Sequence, residues 1–244
     1  MMRTASAQLL DRAFVVESVE REFAQTAKKS ILSKVCSGFG AGTRALLFGG
    51  VIRNAVLSAM LHKPFPRRDT NFVVFGMGSD EDLSEALEPL HPHRNSFGGL
   101  KIEVDGATID VWRAELQRLV AGQPPVVTSF DEFLRCVTLT TDAVLYDIAQ
   151  GTIYEEGFIY ALRTQTIDLG ANSRWVEPWI HYHLAHLAYV RALTGFALSP
   201  RAREAARNAL TGPFIEQAVA YLASRRKCDD PREVVLALQH EAHL

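Results

Sequence analysis

The 244-residue sequence has few cysteines and no long hydrophobic run. Its three cysteines, Cys36, Cys136 and Cys228, lie far apart and form no CxxC pair, which argues against a disulfide framework or a cysteine-rich zinc site. No apolar stretch reaches the length that a membrane-spanning helix needs. The N-terminus also lacks a basic start followed by an apolar signal core. We therefore expect a cytoplasmic protein with reduced thiols and no membrane partner.

The sequence also lacks an excess of charge of either sign. Its formal net charge is −2, so no global basic field attracts nucleic acid. A local basic patch at Lys63, Arg67 and Arg68 remains open. Hydrophobic residues make up 48% and charged residues 22%, a balance typical of globular proteins. The length fits one large domain or two modest ones.

The pattern of apolar residues divides the chain into three parts. Residues 1–43 are predicted to be a helical segment that ends in a glycine-rich connector. Strands alternate with helices over residues 44–170, and residues 171–244 are almost entirely helical in pattern. We predict an α+β fold, with a mixed β-sheet and flanking helices in the middle part and a helical bundle after it.

Several elements of this fold can be placed from the sequence. A helix is predicted over residues 5–34 and another over 51–61, while strands are predicted at 44–48 and 70–75. An Asp-Gly pair at 105–106 and a Gln-Gly pair at 150–151 each separate two apolar runs, which predicts hairpins. Their strands are predicted at 97–104 with 107–112, and at 143–148 with 152–154.

The stretch from residue 46 to residue 75 has the layout of a phosphate-binding unit. An apolar run ends at Gly49 and Gly50, and Arg53 follows within one helical turn. A glycine pair lets backbone N–H groups approach a phosphate beside a helix N-terminus. Arg68 then precedes Asp69, at the start of the next strand.

Acidic residues on this strand could hold divalent cations beside a bound phosphate. Two aspartates spaced two apart point to the same face of a strand, so they can share divalent cations. Mg²⁺ prefers such hard oxygen ligands, and two ions roughly 3.5–4 Å apart commonly act together. Here the pair is Asp69 and Asn71, and Asp110 in the following hairpin is the candidate third carboxylate. Singly these features are common in structural positions, and only their order along the chain indicates function.

These motifs resemble the head of polymerase-β-type nucleotidyltransferases, in the branch that contains tRNA CCA-adding enzymes and bacterial poly(A) polymerases. Family heads read roughly GGxVRD and then DxDFV, and this chain has GGVIRN and DTNFV. Further stretches are similar: FGGLKI, IDVWR and TTDAVLYD match an FGT-type strand, the third acidic strand and the family's FTINAMAYD. The helix over 183–198 resembles the start of the family's neck. The resemblance covers about residues 44–200.

The resemblance implies a Mg²⁺-dependent transfer of a nucleotide from a nucleoside triphosphate to RNA, such as tRNA. It places catalysis at Asp69, Asn71 and Asp110, with Asp69 and Asp110 as the metal ligands. It also implies a set of nucleotide-binding residues that consists of Gly49, Gly50, Arg53 and Arg68.

The departures from the family pattern fall at functional positions. Asn71 replaces a catalytic aspartate, and Asn54 replaces the acid of GGxVRD. The family's nucleotide-handling Arg-Arg-Asp falls on residues 136–138, Cys-Val-Thr, and its neck arginines fall near His183, His186 and Tyr189. Two hypotheses therefore stand: a nucleotidyltransferase with a weakened metal site, or a catalytically degenerate fold that binds a nucleotide, RNA or a protein partner.

The histidines of the predicted neck helix allow a further hypothesis. His183 and His186 share a helix face, but His181 lies off it. Three histidines could hold zinc in a distorted site. The alternative is that they are ordinary positions of an amphipathic helix near the junction of head and neck.

Overall fold

A computed structural model describes residues 10–24, 35–40, 42–65, 69–95, 98–104, 106–123, 129–225 and 228–243. Within these ranges, it describes only the backbone of residue 69 and of residues 117–119. The predicted α+β fold is confirmed: a mixed sheet with flanking helices precedes a set of C-terminal helices. In the described part of the chain, no helix is both long and apolar enough to cross a membrane.

In the residues that the structure describes, the main sheet has seven strands in the order β3-β4-β5-β2-β1-β6-β7. Strands β2 and β5 run parallel, and the other neighbours are antiparallel. A separate pair of two-residue strands, β8 and β9, runs parallel. The bounds are β1 Arg44–Phe48, β2 Asp69–Phe75, β3 His93–Arg94, β4 Leu100–Val104, β5 Ala107–Arg113, β6 Val144–Asp147, β7 Thr152–Glu155, β8 Thr166–Ile167 and β9 Ala197–Leu198.

The α-helices flank this sheet and then form the C-terminal part. Their bounds are α1 Arg12–Phe23, α2 Gly50–Leu61, α3 Asp80–Leu87, α4 Ala114–Val120, α5 Phe130–Arg135, α6 Phe158–Thr164, α7 Ile180–Thr194, α8 Pro200–Ala209, α9 Gly212–Ser224 and α10 Pro231–Ala242. Turns of 3-10 helix lie at Glu88–Leu90 and Thr140–Asp142.

Most predicted elements of the middle part are confirmed, with small shifts at their ends. β1, α2, β2 and both hairpins are present. The predicted helix over 5–34 is observed as α1, which begins at Arg12 and ends at Phe23; residues 5–9, 25–34 and 97 lie outside the described residues. The part predicted to be almost entirely helical also contains β9, a strand that the sequence pattern did not indicate.

The sheet separates two layers of apolar packing because alternate residues of a strand point to opposite faces. Phe72 and Val74 of β2 belong to the large core with α1, α2 and the C-terminal helices. Val73 joins a smaller cluster with Phe48 and Phe133 on the opposite face, beneath α5. The division of the chain at residue 170 stays a prediction, although the large core contains residues from both sides of it.

Candidate functional site

The glycine pair forms the junction between β1 and α2. Gly49 has a φ of 70°, a value that a glycine adopts without steric cost, and its N–H donates to the Val144 carbonyl at 3.2 Å. The chain then turns directly into α2 at Gly50. The N-cap residue Gly49 has no side chain that could cap this helix, and the first N–H groups of a helix favour an anion.

Asn71 and Asp110 lie side by side on the parallel strands β2 and β5. The two residues are register partners, so their side chains point to the same face of the sheet. Asp110 is largely buried, and its Oδ1 accepts a hydrogen bond of 3.0 Å from the Asn95 amide. The Oδ1 of Asn95 in turn accepts from the backbone N–H of Gly99, which fixes the orientation of the amide. The sheet therefore brings two of the three proposed catalytic residues together.

The remaining members of the predicted acidic site are only partly described. The backbone of Asp69 pairs with Thr108 two residues before the Asn71–Asp110 pair, while its side chain and Arg68 lie outside the described residues. Within the described part of the chain, no group of three or more His, Cys, Asp or Glu residues could hold a metal. The assignment of Asp69 and Asp110 as Mg²⁺ ligands thus stays a prediction.

Arg53, the expected phosphate contact, is buried and has a partner within the chain. Its Nη1 forms an ion pair with Oδ1 of Asp142, and its Nε donates to Oδ1 of Asn54 at 3.1 Å. The guanidinium also folds back over the glycine turn: a Cβ added to Gly50 would lie 3.2 Å from its Nη2. The role of Arg53 toward a nucleotide stays a prediction.

The sequence reasoning missed Asp142, although a signal for it was present. Asp142 stands where the family stretch FTINAMAYD has asparagine, and Asn54 stands where GGxVRD has aspartate. The acid missing at position 54 therefore has a counterpart at position 142, and both positions border the same arginine. One carboxylate is therefore still present beside the Arg53 guanidinium. A buried guanidinium without a counter-ion would strongly destabilise the folded protein.

Asp142 also bonds to the C-terminal helices. Its Oδ2 lies 2.7 Å from Nε2 of His186 on α7. The ring of His186 stacks on Tyr182, with centroids 5.9 Å apart and planes 5° from parallel. Burial raises the pKa of the Tyr182 hydroxyl, so it stays protonated. One carboxylate thus joins the start of α2 in the head to α7.

The positions that replace the family's nucleotide-handling residues are packed against one another. Cys136, Val137 and Thr138 are buried, and Thr138 Oγ1 lies 3.1 Å from Nδ1 of His183, whose side chain is also buried. Nε2 of His183 lies 3.0 Å from the Val120 carbonyl. Because a carbonyl can only accept, Nε2 donates and Nδ1 accepts from the Thr138 hydroxyl. These positions therefore form a closed junction.

The environment of His183 keeps its ring neutral. Burial lowers the pKa of His183 to about 4, with smaller effects from the neighbouring His186 and His181, while the hydrogen bond to Val120 acts in the opposite direction. The His183 ring stacks on the Trp175 ring, with centroids 5.7 Å apart. His181 instead contacts Tyr221 edge-on, so the three histidines serve different packing contacts and the zinc hypothesis gains no support.

Comparisons with known proteins find similar solved structures but no matching family model. No protein-family model matches the chain, and no curated protein matches it. Among solved structures, a Thermotoga maritima CCA-adding enzyme complexed with tRNA aligns with a TM-score of 0.63 at 14% identity, over 91% of this chain and 53% of that one. A tRNA nucleotidyltransferase complexed with a primer tRNA and an ATP analogue aligns with a TM-score of 0.58 at 18% identity, over 83% of this chain and 58% of that one.

A third structure, a CCA-adding enzyme with ATP, aligns with a TM-score of 0.63 at 15% identity, over 91% of this chain and 53% of the other. The chain therefore spans little more than half the length of these structures. At such low identity the likeness establishes the nucleotidyltransferase-type fold, which confirms the resemblance that the sequence motifs indicated, at the level of the fold.

Proposed function

We propose that this chain is a catalytically degenerate nucleotidyltransferase that binds a nucleoside triphosphate through its phosphates. In this proposal the base is read poorly and nucleotide transfer is strongly reduced. The bound cation is Mg²⁺, held by Asp69 and Asp110, and the phosphates lie at the turn formed by Gly49 and Gly50. Arg68 contributes a further phosphate contact.

The contact between Thr138 and His183 carries this proposal. The family resemblance places the aspartate of Arg-Arg-Asp at residue 138 and a neck arginine near His183, and a planar guanidinium could bind phosphate bidentately. Here a hydroxyl and a neutral imidazole hydrogen bond to each other in a buried junction, so neither is aimed at a ligand. The flanking Cys136 and Val137 offer a thiol and an apolar side chain in place of fixed donors.

Asn71 supports the reduction in transfer. An amide oxygen can coordinate a cation but brings no charge, so a site with Asn71 attracts Mg²⁺ less strongly than one with a third carboxylate. Phosphate contacts at a helix N-terminus need no metal, and the turn before α2 keeps the backbone geometry for them. We therefore expect binding to outlast catalysis.

Slow nucleotide transfer to RNA is the second candidate function. It is favoured by the register of Asn71 and Asp110, which share one face of the sheet as a metal-binding pair would. Structural neighbours described with tRNA suggest the acceptor. The net charge of −2 provides no global field for RNA, so a tRNA partner would have to be held by local contacts.

Calorimetric titration with ATP, CTP, GTP and UTP tests the proposal directly. We expect weak binding whose dissociation constant differs little among the four, because the residues that replace the family's nucleotide-handling ones, at 136–138, 183, 186 and 189, include no arginine or carboxylate to read the base. Micromolar binding of one nucleotide, with no detectable binding of the other three, would contradict the proposed loss of base reading.

A transfer assay separates the two candidate functions. The protein is incubated with labelled nucleoside triphosphates, Mg²⁺ or Mn²⁺, and mixed RNA. We expect little incorporated label. Robust transfer that Asp69→Ala abolishes would establish the enzyme in place of the degenerate protein. Absence of both transfer and nucleotide binding would refute both candidates.

The substitution Asn71→Asp tests whether the acidic strand forms a cation site. A carboxylate at position 71, beside Asp110, should tighten Mn²⁺ binding by about tenfold or more, because it adds a charged oxygen ligand. Mn²⁺ titration followed by electron paramagnetic resonance measures the change. Asn172→Asp, the same chemical change at an exposed position, is the matched control. Unchanged Mn²⁺ affinity of Asn71→Asp would mean that Asp69 and Asn71 do not face a common cation.

A further inference from the structure

The Asp142 side chain lies beside the glycine turn at which the proposed function places the phosphates. A Cβ added to Gly49 would be 3.7 Å from Cβ of Asp142, so this residue packs against the turn that begins α2. Its Oδ1 is paired with the Arg53 guanidinium, which in turn covers Gly50. An arginine beside a helix N-terminus is an arrangement that favours an anion, and here this arginine is paired with a carboxylate of the chain itself.

A second contact holds this carboxylate in position. Nε2 of His186 lies 2.7 Å from Oδ2 of Asp142, so the carboxylate uses one oxygen for the head and the other for α7. Both side chains of the ion pair are nearly inaccessible to water, which strengthens their attraction relative to an exposed pair. A phosphate can therefore reach Arg53 only after Asp142 has turned away.

We propose that Asp142 is an intramolecular competitor of nucleotide phosphate at the start of α2. The carboxylate occupies Arg53, and His186 holds it there, so the protein has a lower affinity for phosphate-bearing ligands than its glycine turn and arginine would otherwise give. This inference rests on the proposed function, because it concerns the same phosphate site. It assigns to Asp142 and His186 a role in setting affinity.

A purely structural ion pair makes a different prediction. If Asp142 only neutralised Arg53, removal of its charge would lower stability and leave ligand affinity unchanged or weaker. If it competes with phosphate, removal of its charge raises affinity, since the fraction of molecules with an available guanidinium increases. The sign of the change in affinity therefore separates the two roles.

The chain offers a matched control in the same segment. Asp147, five residues further on, is also a largely buried carboxylate that pairs with an arginine, Arg44. Its other bonds are to the backbone N–H groups of Ala149 and Gln150, at the end of β6 away from the glycine turn. Asp147→Asn thus removes a similar charge without releasing Arg53.

The experiment is calorimetric titration with pyrophosphate and with ATP of the wild-type protein, Asp142→Asn and Asp147→Asn, each first checked for folding by circular dichroism. We expect Asp142→Asn to bind both ligands about tenfold more tightly than the wild type, and Asp147→Asn to match the wild type. Folded Asp142→Asn with unchanged or weaker affinity would overturn the proposal. If no protein binds either ligand, the proposed function fails with it; measurable wild-type binding without the increase refutes this inference alone.

A double variant guards against misfolding of Asp142→Asn. Combined Asn54→Asp and Asp142→Asn keeps one carboxylate beside Arg53 but moves it to the Nε side of the guanidinium. We expect this protein to fold and also to bind pyrophosphate about tenfold more tightly. In the wild type, the His186 ring signals in a nitrogen-proton NMR spectrum should shift during pyrophosphate titration, because the Asp142 contact breaks. Bound pyrophosphate with unmoved His186 signals would overturn the proposal.

Discussion

At the scale of single residues, polar side chains at the family's functional positions bond to each other. Thr138 and His183 share a hydrogen bond, and Arg53 has a counter-ion in Asp142. Buried polar groups need such partners, because an unsatisfied one costs about 1–3 kcal/mol. Thr138, His183 and Arg53 therefore have partners within the fold, which explains how these buried positions tolerate polar side chains.

Burial of His183 makes the free energy of unfolding depend on pH. Its pKa of about 4 in the folded protein lies below the ordinary value of 6.5, so the unfolded chain binds a proton first as pH falls. Neutral His183 therefore makes its full contribution to the free energy of unfolding above about pH 6.5. Up to about 3 kcal/mol of this contribution is lost as the pH falls toward 4. We expect urea unfolding of His183→Gln to show a weaker loss of stability over this range than the wild type.

The control for this prediction is His243→Gln, at an exposed position after α10. It should reproduce the wild-type dependence of unfolding free energy on pH. Parallel curves for His183→Gln and the wild type between pH 6.5 and 4 would show that another group causes the acid sensitivity.

At the scale of elements, a small parallel pair of strands joins the end of the head to the C-terminal helices. β8 pairs with β9, and Ser199 follows directly as the N-cap of α8. The Ser199 hydroxyl accepts from the Ala202 N–H at 3.0 Å and donates to Oδ1 of Asp168 at 2.6 Å. One side chain thus starts the helix and bonds it to the residue that follows β8.

Ser199→Ala should lower stability more than the loss of an ordinary helix cap. Removing the cap and the bond to Asp168 is expected to cost about 2 kcal/mol, measured as the free energy of unfolding in urea. Ser129→Ala is the comparison, because Ser129 caps α5 through its bond to the Glu132 N–H and should cost about 1 kcal/mol. Equal losses would mean that the Asp168 bond adds nothing to stability.

At the scale of the whole molecule, the large core is shared between the sheet and the C-terminal helices. Phe72 of β2, Leu162 of α6 and Leu187 of α7 belong to one cluster, which extends to Leu238 of α10. A core that crosses the predicted boundary at residue 170 favours unfolding of the two parts together. We propose that they form one cooperative unit.

Tryptophan fluorescence can test this cooperativity. Trp112→Phe leaves Trp175 and Trp179 as probes of the C-terminal part, and Trp175→Phe with Trp179→Phe leaves Trp112 as the probe of the sheet. We expect each variant's fluorescence transition in urea to coincide with its own circular dichroism transition. Separate transitions of sheet and helices would support two independent domains instead.

The sequence by itself determined the order of elements and the local geometry. Apolar runs placed β1 and β2, a glycine pair placed the turn before α2, and an Asp-Gly pair placed the hairpin of β4 and β5. Each of these depends on residues close together in the chain, where backbone preference and side-chain period are strong. For the same reason Asn71 and Asp110 could be predicted from the sequence as candidate catalytic residues, because the motifs that contain them are local.

Only the tertiary structure decided how distant residues pair. Arg53 and Asp142 are 89 positions apart, and Thr138 and His183 are 45 apart, so no local period relates them. The strand β9 has two residues and exists because β8 lies beside it, which no pattern within residues 195–200 encodes. Burial and hydrogen bonding act through space, and they bring Thr138 and Asp142 of the head into contact with His183 and His186 of α7.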